Sequence, residues 1–194
     1  MTLSGISFKR SRILCAVLLI FSALASPANT ARTATLNASE TMPEAVPELR
    51  LRLFHSHTNE RIDIVYRRGD AYLPDALAQL DHFLRDHRTG AVRRYDPRIF
   101  DLLEDLTVSL GRPNAEIEIV CGYRSPQSNE YLRTHTTGVA KNSLHVKAEA
   151  IDIRVPQVRT FALRNAALAL QRGGVGYYPQ SAFVHVDVGR VRRW

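Results

Sequence analysis

Two short segments late in the chain alternate between apolar and polar residues over most of their length, and this period of two is the strongest constraint on the fold. They are A-E-A-I-D-I-R-V, residues 148–155, and F-V-H-V-D-V, residues 183–188. Because side chains alternate across a strand, the isoleucines and valines of each segment share one face. The opposite face carries Asp152 and Arg154 in the first segment and His185 and Asp187 in the second. If the two strands lie side by side, Asp152 and His185 project from the same open face of a sheet.

The other patterns predict strands mixed with helices, without a strict strand–helix–strand repeat. L-R-L-F-H and I-D-I-V-Y are typical of a hairpin, and E-I-E-I-V-C and V-G-Y-Y of further strands. Helical patterns begin at Pro74, at Asp96-Pro97 and near Gln157, and a short helix is expected after Ser125. We therefore expect an α+β domain with an antiparallel or mixed sheet and helices packed on one face.

The first 28 residues have the composition of a secretory signal peptide. Lys9, Arg10 and Arg12 precede an apolar run of about 13 residues that ends in small residues. The alternative is a membrane anchor, but a spanning helix needs about 20 residues. We expect export to the periplasm or another part of the cell envelope, with no stable membrane span after cleavage. Residues 29–48 are polar and contain prolines, which predicts a flexible linker before a domain at 49–194.

Charge and cysteine content narrow the class further. The net charge of +7 falls to +4 without the three basic residues of segment 1–28. No basic stretch is interleaved with aromatic residues, so we expect no nucleic-acid partner.

Cys121 is the single cysteine after residue 28, which excludes an intramolecular disulfide in 29–194. It lies an even number of residues after Ile117 and Ile119, so all three side chains are expected on the same face of a strand. This position predicts a buried, inert thiol, and the alternative is a thiol nucleophile.

A third polar residue, a histidine upstream of Asp152, is a candidate to join Asp152 and His185. His145 precedes Asp152 by seven residues, an odd number, so a straight strand would send the two side chains to opposite faces. His145 must therefore lie on a bend, from which it can approach Asp152 and His185. Two imidazoles and one carboxylate suit Zn²⁺, with a fourth position left for water. The spacing alone favours a solvated Asp152 and a surface His185 over a metal site.

Several ordered motifs resemble one peptidase family. S-L-H-V-K-A-E-A-I-D, residues 143–152, is similar to the S-x-H-x-x-G-x-A-x-D motif of the D-Ala-D-Ala metallopeptidases. These belong to the LAS superfamily with lysostaphin and the hedgehog signalling domain. G-Y-R-S (122–125) resembles the family's substrate-binding motif, and F-V-H-V-D (183–187) its last metal-ligand segment. G-G-V-G-Y-Y-P and the closing tryptophan are similar to the branch that contains murein endopeptidase K.

The resemblance implies a role for five residues. His145, Asp152 and His185 match the zinc ligands of the family. Arg124 matches the arginine that pairs with a substrate carboxylate, which a guanidinium can bind through two hydrogen bonds. The alternative is a turn arginine with a surface partner. Ser143 is expected either to hold the substrate backbone or to orient His145.

The general base is less well defined by the resemblance. The better-known dipeptidases carry a glutamate at the position of Ala182, so their base is missing here. Asp187 is the candidate, because it shares a strand face with His185; it could equally be a hydrogen-bond partner or a helper ligand.

The family motif's glycine is Ala148 in this chain, and the remaining histidines are expected at the surface.

The implied function is that of an exported zinc-dependent murein peptidase with the hedgehog/D-Ala-D-Ala-peptidase-like fold. It would hydrolyse amide bonds in the peptide stems and cross-links of peptidoglycan, including those between two diaminopimelate residues. One alternative is a D-Ala-D-Ala carboxypeptidase, and the other is a non-catalytic zinc-containing module that binds cell wall. The sequence carries no indication of the oligomeric state.

Overall fold

The structure, a computed structural model, describes residues 46–194. The predicted signal peptide and all of the predicted linker except residues 46–48 lie outside the described residues. One sheet of eight strands organises this part of the chain: β1 Glu48–His55, β2 Arg61–Arg68, β3 Ala71–Tyr72, β4 Glu116–Cys121, β5 Ala150–Arg154, β6 Gly174–Tyr178, β7 Phe183–Asp187 and β8 Arg192–Arg193. Within residues 46–194, no helix is long and apolar enough to span a bilayer.

Four α-helices begin close to the positions that the sequence predicts: α1 Pro74–Phe83, α2 Arg98–Ser109, α3 Pro126–His135 and α4 Thr160–Leu170. Pro74 and Pro126 occupy first-turn positions, where the missing proline N–H costs nothing. The Ser125 hydroxyl accepts a hydrogen bond from the Ser128 backbone N–H and so caps α3. A four-residue 3₁₀ helix, Leu144–Lys147, lies just before β5.

The strands are arranged in the order β3-β2-β1-β4-β5-β7-β6-β8. β1 pairs with β4 and β6 with β8 in parallel, and the other neighbours are antiparallel. The expected α+β class with a mixed sheet is therefore confirmed.

The apolar side chains of the central strands meet two helices. α2 contacts β1, α4 contacts β6 and β7, and the two helices contact each other. The fully buried residues of β5 and β7, Ile151, Ile153 and Val184, belong to the same core cluster as Leu103 and Leu106 of α2. Packing one face in this way leaves the polar residues of β5 and β7 on the other, as the alternation predicts.

A register shift in β4 changes the expected position of Cys121. Ile119 pairs with Ile153, but the next paired residue is Cys121, which lies opposite Asp152. The extra residue is a β-bulge, and it moves the following side chain to the other face. The prediction that Cys121 shares the face of Ile117 and Ile119 is therefore wrong, although the residue is buried.

Candidate metal centre

Strand register brings the two predicted polar residues together. Asp152 of β5 and His185 of β7 are direct cross-strand partners. Paired residues of neighbouring strands project to the same side, with Cβ atoms about 4.5–5.5 Å apart. Both side chains are buried at the base of a pocket.

The 3₁₀ helix before β5 brings His145 to the same place. The Ser143 hydroxyl accepts a hydrogen bond from the His145 backbone N–H (3.3 Å) and caps the helix. The helix ends at Ala148, which adopts the left-handed conformation with φ 58° and ψ 43°. Glycine adopts this conformation without steric cost, which explains why the family motif has glycine at that position. The predicted bend at His145 is thus a short helix closed by a left-handed residue.

Three donor atoms converge at this point. Asp152 Oδ1 lies 2.9 Å from His185 Nδ1 and 3.2 Å from His145 Nε2, and the two nitrogens are 3.1 Å apart. Donors at 2.0–2.1 Å from a tetrahedral zinc ion would be separated by about 3.3 Å. The nitrogen and oxygen donors, their number and their spacing therefore fit a zinc-like divalent ion.

Hydrogen bonds on the far side of each imidazole fix which nitrogen faces the centre. His145 Nδ1 lies 2.8 Å from the Gly122 carbonyl oxygen, which only an N–H group can satisfy. His185 Nε2 lies 3.1 Å from Asp187 Oδ2. With these nitrogens protonated, His145 Nε2 and His185 Nδ1 each direct a lone pair at the centre. Such outer hydrogen bonds are the usual support of metal-binding histidines.

Asp187 lies behind His185 and away from the pocket. Its carboxylate accepts hydrogen bonds from the backbone N–H groups of Gly174 and Gly189, both at 2.9 Å, and from Arg192 at 2.7 Å. Burial alone would raise the pKa of Asp187, but His185, Arg192 and these N–H groups hold it well below its usual range. A buried, saturated and ionised carboxylate is a poor proton acceptor. The geometry favours the partner role over the general-base role that the sequence left open.

The site attracts positive charge. Burial alone would lower the pKa of His145, but the Asp152 carboxylate outweighs it and raises that pKa to about 10. The two histidines likewise hold the pKa of Asp152 below its ordinary value against the effect of burial. A cation therefore stabilises the centre, and a metal ion must displace a proton to bind.

Cys121 joins the site because of the bulge in β4. Its Sγ lies within 4.8 Å of donor atoms of His145 and Asp152, and Arg124 Nη2 lies 3.5 Å from it. Burial would raise the pKa of this thiol, but His145 lowers it overall. The alternating pattern of β4 does not predict this position of Cys121, because nothing in that pattern indicates a β-bulge.

Arg124 lines the pocket, which has a volume of about 350 Å³. Its Nη1 donates to the Asn129 side chain at 3.2 Å, and its backbone N–H donates to the His145 carbonyl oxygen at 3.2 Å. Its Nε is buried and has no partner among residues 46–194. In the same part of the chain, no carboxylate forms an ion pair with this guanidinium. Arg124 can therefore accept a carboxylate from a ligand, as the resemblance implies.

Aromatic residues on the opposite side of the pocket were not predicted as site residues. Tyr178, Phe183 and Trp194 line it together with Ser143 and Arg192. The His185 and Trp194 ring centroids are 5.2 Å apart. The closing tryptophan was a signal for the family in the sequence, but nothing in its spacing indicated proximity to His185.

The other histidines lie outside this pocket. His55 is fully buried, so its predicted surface position is wrong, and its ring approaches those of His57 and His87. Burial and His57 lower the pKa of His55 to about 4. His135 is exposed on α3, where its ring stacks on Tyr131.

Two imidazole nitrogens and a carboxylate oxygen converge beside the buried Cys121 and an arginine that has no acidic partner within residues 46–194, an arrangement typical of a metal-dependent hydrolase. Comparison with known proteins identifies the family. Residues 44–194 match the family described as peptidoglycan L,D-endopeptidase MepK, and the chain belongs to it.

Curated relatives carry the same description. The chain is 42% identical over 151 residues to a protein of Haemophilus influenzae named "Probable peptidoglycan L,D-endopeptidase MepK", an alignment that covers 77% of this chain and 81% of the relative. It is 41% identical over 144 residues to the peptidoglycan L,D-endopeptidase MepK of Escherichia coli K12, with coverage of 74% and 79%. The same identity and coverage hold for the Shigella flexneri protein of that name.

Proposed function

We propose that this protein is an exported, zinc-dependent murein endopeptidase. It hydrolyses amide bonds in the peptide cross-links of peptidoglycan, including those between two diaminopimelate residues. Membership of the MepK family supports the substrate class, because the relatives are named as L,D-endopeptidases of peptidoglycan. A bond between two diaminopimelate residues joins an L-centre to a D-centre, which fits that description.

The convergence of three donor atoms carries the proposal. His145 Nε2, Asp152 Oδ1 and His185 Nδ1 lie within 3.2 Å of one another at the base of an open pocket. These residues would hold the zinc ion. When bound, zinc polarises an amide carbonyl and makes a hydroxide nucleophile available at neutral pH. The pocket gives a peptide direct access to that position.

Arg124 and Ser143 would orient the substrate beside the metal. The Arg124 guanidinium, free of acidic partners within residues 46–194, would bind a carboxylate near the scissile amide. Ser143 lines the pocket and also caps the helix of His145, so both roles implied by the resemblance are compatible with its position. Holding the amide in this way lowers the entropic part of the barrier.

We assign Asp187 a positioning role instead of the proton-accepting role. Its bond to His185 Nε2 keeps His185 Nδ1 directed at the metal. Among the described residues, Asp152 is the only carboxylate that lines the pocket. Because Asp152 is assigned to the metal and its pKa is held below its ordinary value, we assign no carboxylate of residues 46–194 as the general base.

The setting of the domain is also proposed. We infer that residues 1–28 direct export, that residues 29–48 tether the domain, and that the fold is the hedgehog/D-Ala-D-Ala-peptidase-like type. Family members act on peptidoglycan by name, which supports a location in the cell envelope. A net charge of +4 on residues 29–194 favours contact with acidic peptides of the wall.

A digest tests the function. Zinc-loaded protein is incubated with purified cross-linked muropeptide dimers, beside a His185→Ala variant, and the products are weighed by mass spectrometry. Dimers should become monomers only with intact His185, and the masses identify the bond. Release of free D-alanine from intact dimers would establish the carboxypeptidase instead. Dimers that remain uncut while the protein retains zinc and binds sacculi would establish the binding module.

A further inference from the structure

A glycine in β6 leaves a gap beside the metal centre. Gly176 is the cross-strand partner of His185, just as His185 is the partner of Asp152. These three residues therefore form one row across β5, β7 and β6 on the open face of the sheet. The third position has no side chain, and the indole of Trp194 occupies the space. A Cβ atom on Gly176 would lie 2.8 Å from two atoms of that ring.

The indole is held in this gap by several bonds. The Trp194 backbone N–H donates to the Val175 carbonyl oxygen at 3.3 Å, and the Tyr177 N–H donates to the Trp194 carbonyl oxygen at 3.1 Å. Trp194 Nε1 donates to the Tyr178 hydroxyl at 2.9 Å. The side chain is nevertheless 51% exposed. A large apolar ring that is fixed and half open at the edge of a pocket is suited to contact with a ligand.

The strand order separates this ring from Arg124. Arg124 follows β4 on one side of the central Asp152–His185 pair, and Trp194 covers β6 on the other. The guanidinium that lies over the ring, that of Arg192, is already paired with Asp187. Tyr178 and Phe183, whose rings stack at 4.5 Å, continue the aromatic surface along the pocket. One side of the pocket therefore offers a guanidinium with no acidic partner among residues 46–194, and the other side offers an aromatic wall.

We propose that Trp194, with Tyr178 and Phe183, binds an aliphatic part of the peptide on the side of the metal opposite Arg124. This inference rests on the proposed function and adds a second contact for the substrate. A peptide whose carboxylate pairs with Arg124 would extend over the metal and place methyl or methylene groups on the indole. Trp194 is then a substrate-binding residue that sets which peptides fit.

Kinetics on cross-linked dimers test the contact. Trp194→Ala should raise KM roughly tenfold, the loss expected when a well-packed aromatic contact is removed, with kcat changed less than threefold. Trp194→Phe should restore most of the affinity. Phe161→Ala, which removes a ring that is 40% exposed on α4, is the matched control and should leave KM unchanged. An unchanged KM in Trp194→Ala, or a fall in zinc affinity with KM unchanged, would overturn the inference.

Gly176→Ala offers an independent route, because it displaces the ring without removing it. KM should rise when Trp194 is present. In the Gly176→Ala/Trp194→Ala double variant, the glycine substitution should add nothing to the effect of Trp194→Ala. Additive effects of the two substitutions on KM would contradict the contact.

Binding can be followed apart from cleavage, since Trp194 is the one tryptophan of the chain. A purified monomeric stem peptide should shift the emission of the zinc-loaded protein, with the dissociation constant measured by calorimetry. Binding without any emission change, or no binding at all, would count against the aromatic wall. If the shift occurs but the parallel digest of dimers yields nothing, the wall stands and the proposed endopeptidase function fails.

Discussion

At the scale of single residues, the pair formed by His185 and Asp187 determines how the centre is held. Asp187 is fully buried and accepts hydrogen bonds from His185, Arg192 and two backbone N–H groups. Each of these contacts stabilises its ionised form. In the mechanism that we propose, its charge acts through the orientation of the His185 ring.

Asp187→Asn should lower zinc affinity by roughly 10- to 100-fold, because the partner that fixes the His185 ring is weakened. Competition with a chelator measures this, with Asp105→Asn, at an exposed ion pair with Arg172, as the control. Thermal unfolding followed by circular dichroism shows that the variants are folded. Unchanged zinc affinity together with lost cleavage would instead restore Asp187 as the general base.

Arg124→Lys should raise KM about tenfold or more for peptides that carry a carboxylate beside the scissile bond. Lysine keeps the charge but cannot form the two parallel hydrogen bonds of a guanidinium. For peptides amidated at that carboxylate, the variant and the wild-type protein should differ little. Arg133→Lys, at an exposed arginine of α3 paired with Glu130, is the control and should behave as wild type. An equal rise in KM for the free and the amidated peptides would exclude binding of the carboxylate by Arg124.

The residues of the centre could be predicted because alternation and spacing are local signals. The period of two placed Asp152 and His185 on one face, and the odd spacing required a bend at His145, but the resemblance to the peptidase family was needed to identify the three as metal ligands. Cys121 and His55 were misplaced for different reasons. A β-bulge turns Cys121 to the open face, and burial of His55 depends on Phe83, which is distant in sequence and lies 5.9 Å away between ring centroids.

At the scale of elements, the 3₁₀ helix links the sequence motif to the position of His145. Ser143 begins it and the left-handed Ala148 ends it. The four residues of this helix form few hydrogen bonds among themselves. The Ser143 cap therefore contributes much of what holds His145 in position.

Ser143→Ala should lower the free energy of unfolding by about 1 kcal/mol, the usual cost of losing a capping hydroxyl. Zinc affinity should fall several-fold, because His145 becomes less well positioned. Denaturant unfolding and metal competition measure the two effects. Ser109→Ala removes a hydroxyl bonded to the Leu106 carbonyl oxygen in α2 and should leave zinc affinity unchanged. If both variants keep wild-type affinity, the cap does not position the histidine.

Element boundaries were predictable where proline, serine or glycine marks them, as at Pro74, Ser125 and Gly173. Gly173 illustrates the limit of such a signal. A glycine after a helical pattern predicts the end of the helix, but a Cβ atom on Gly173 would also overlap the backbone of Asp187. That close approach depends on the pairing of β6 with β7, which a local pattern does not specify.

At the scale of the whole molecule, we expect the buried His55 and the half-buried His87, both outside the pocket, to make stability depend on pH. His55 contacts His57 and His87, and Glu60, Arg85, Asp86 and Arg88 are the other charged groups around this cluster. Burial lowers the pKa values of His55 and His87 to about 4. Above pH 6.5 both the folded and the unfolded chain keep them neutral. As the pH falls from 6.5 to 4, only the unfolded chain takes up the protons.

The free energy of unfolding should therefore fall in this window, and His55 alone should account for about 2 kcal/mol between pH 8 and pH 5. Urea unfolding of wild type and His55→Gln, with a chelator present in both, measures the difference in slope. His135→Gln, at an exposed histidine, should keep the wild-type slope. Equal slopes for wild type and His55→Gln would contradict the buried neutral state of His55.

The class of the fold followed from the sequence, but its topology did not. Alternation and helical periodicity indicated α+β with a mixed sheet. The parallel pairing of β1 with β4 joins segments separated by more than fifty residues, and the short strands β3 and β8 have only two residues each. Such pairings depend on the packing of the whole sheet. The aromatic wall was missed for the same reason, since it requires β6, β7 and β8 to be neighbours.

The most direct test of the account is a zinc titration of the metal-free protein in the presence of cross-linked muropeptide dimers. Cleavage should be absent without metal and reach its maximum at one equivalent of zinc. His145→Ala, Asp152→Ala and His185→Ala should neither bind that equivalent tightly nor cleave the dimers. Full cleavage by the metal-free protein, or wild-type cleavage by any of these variants, would contradict the central claim.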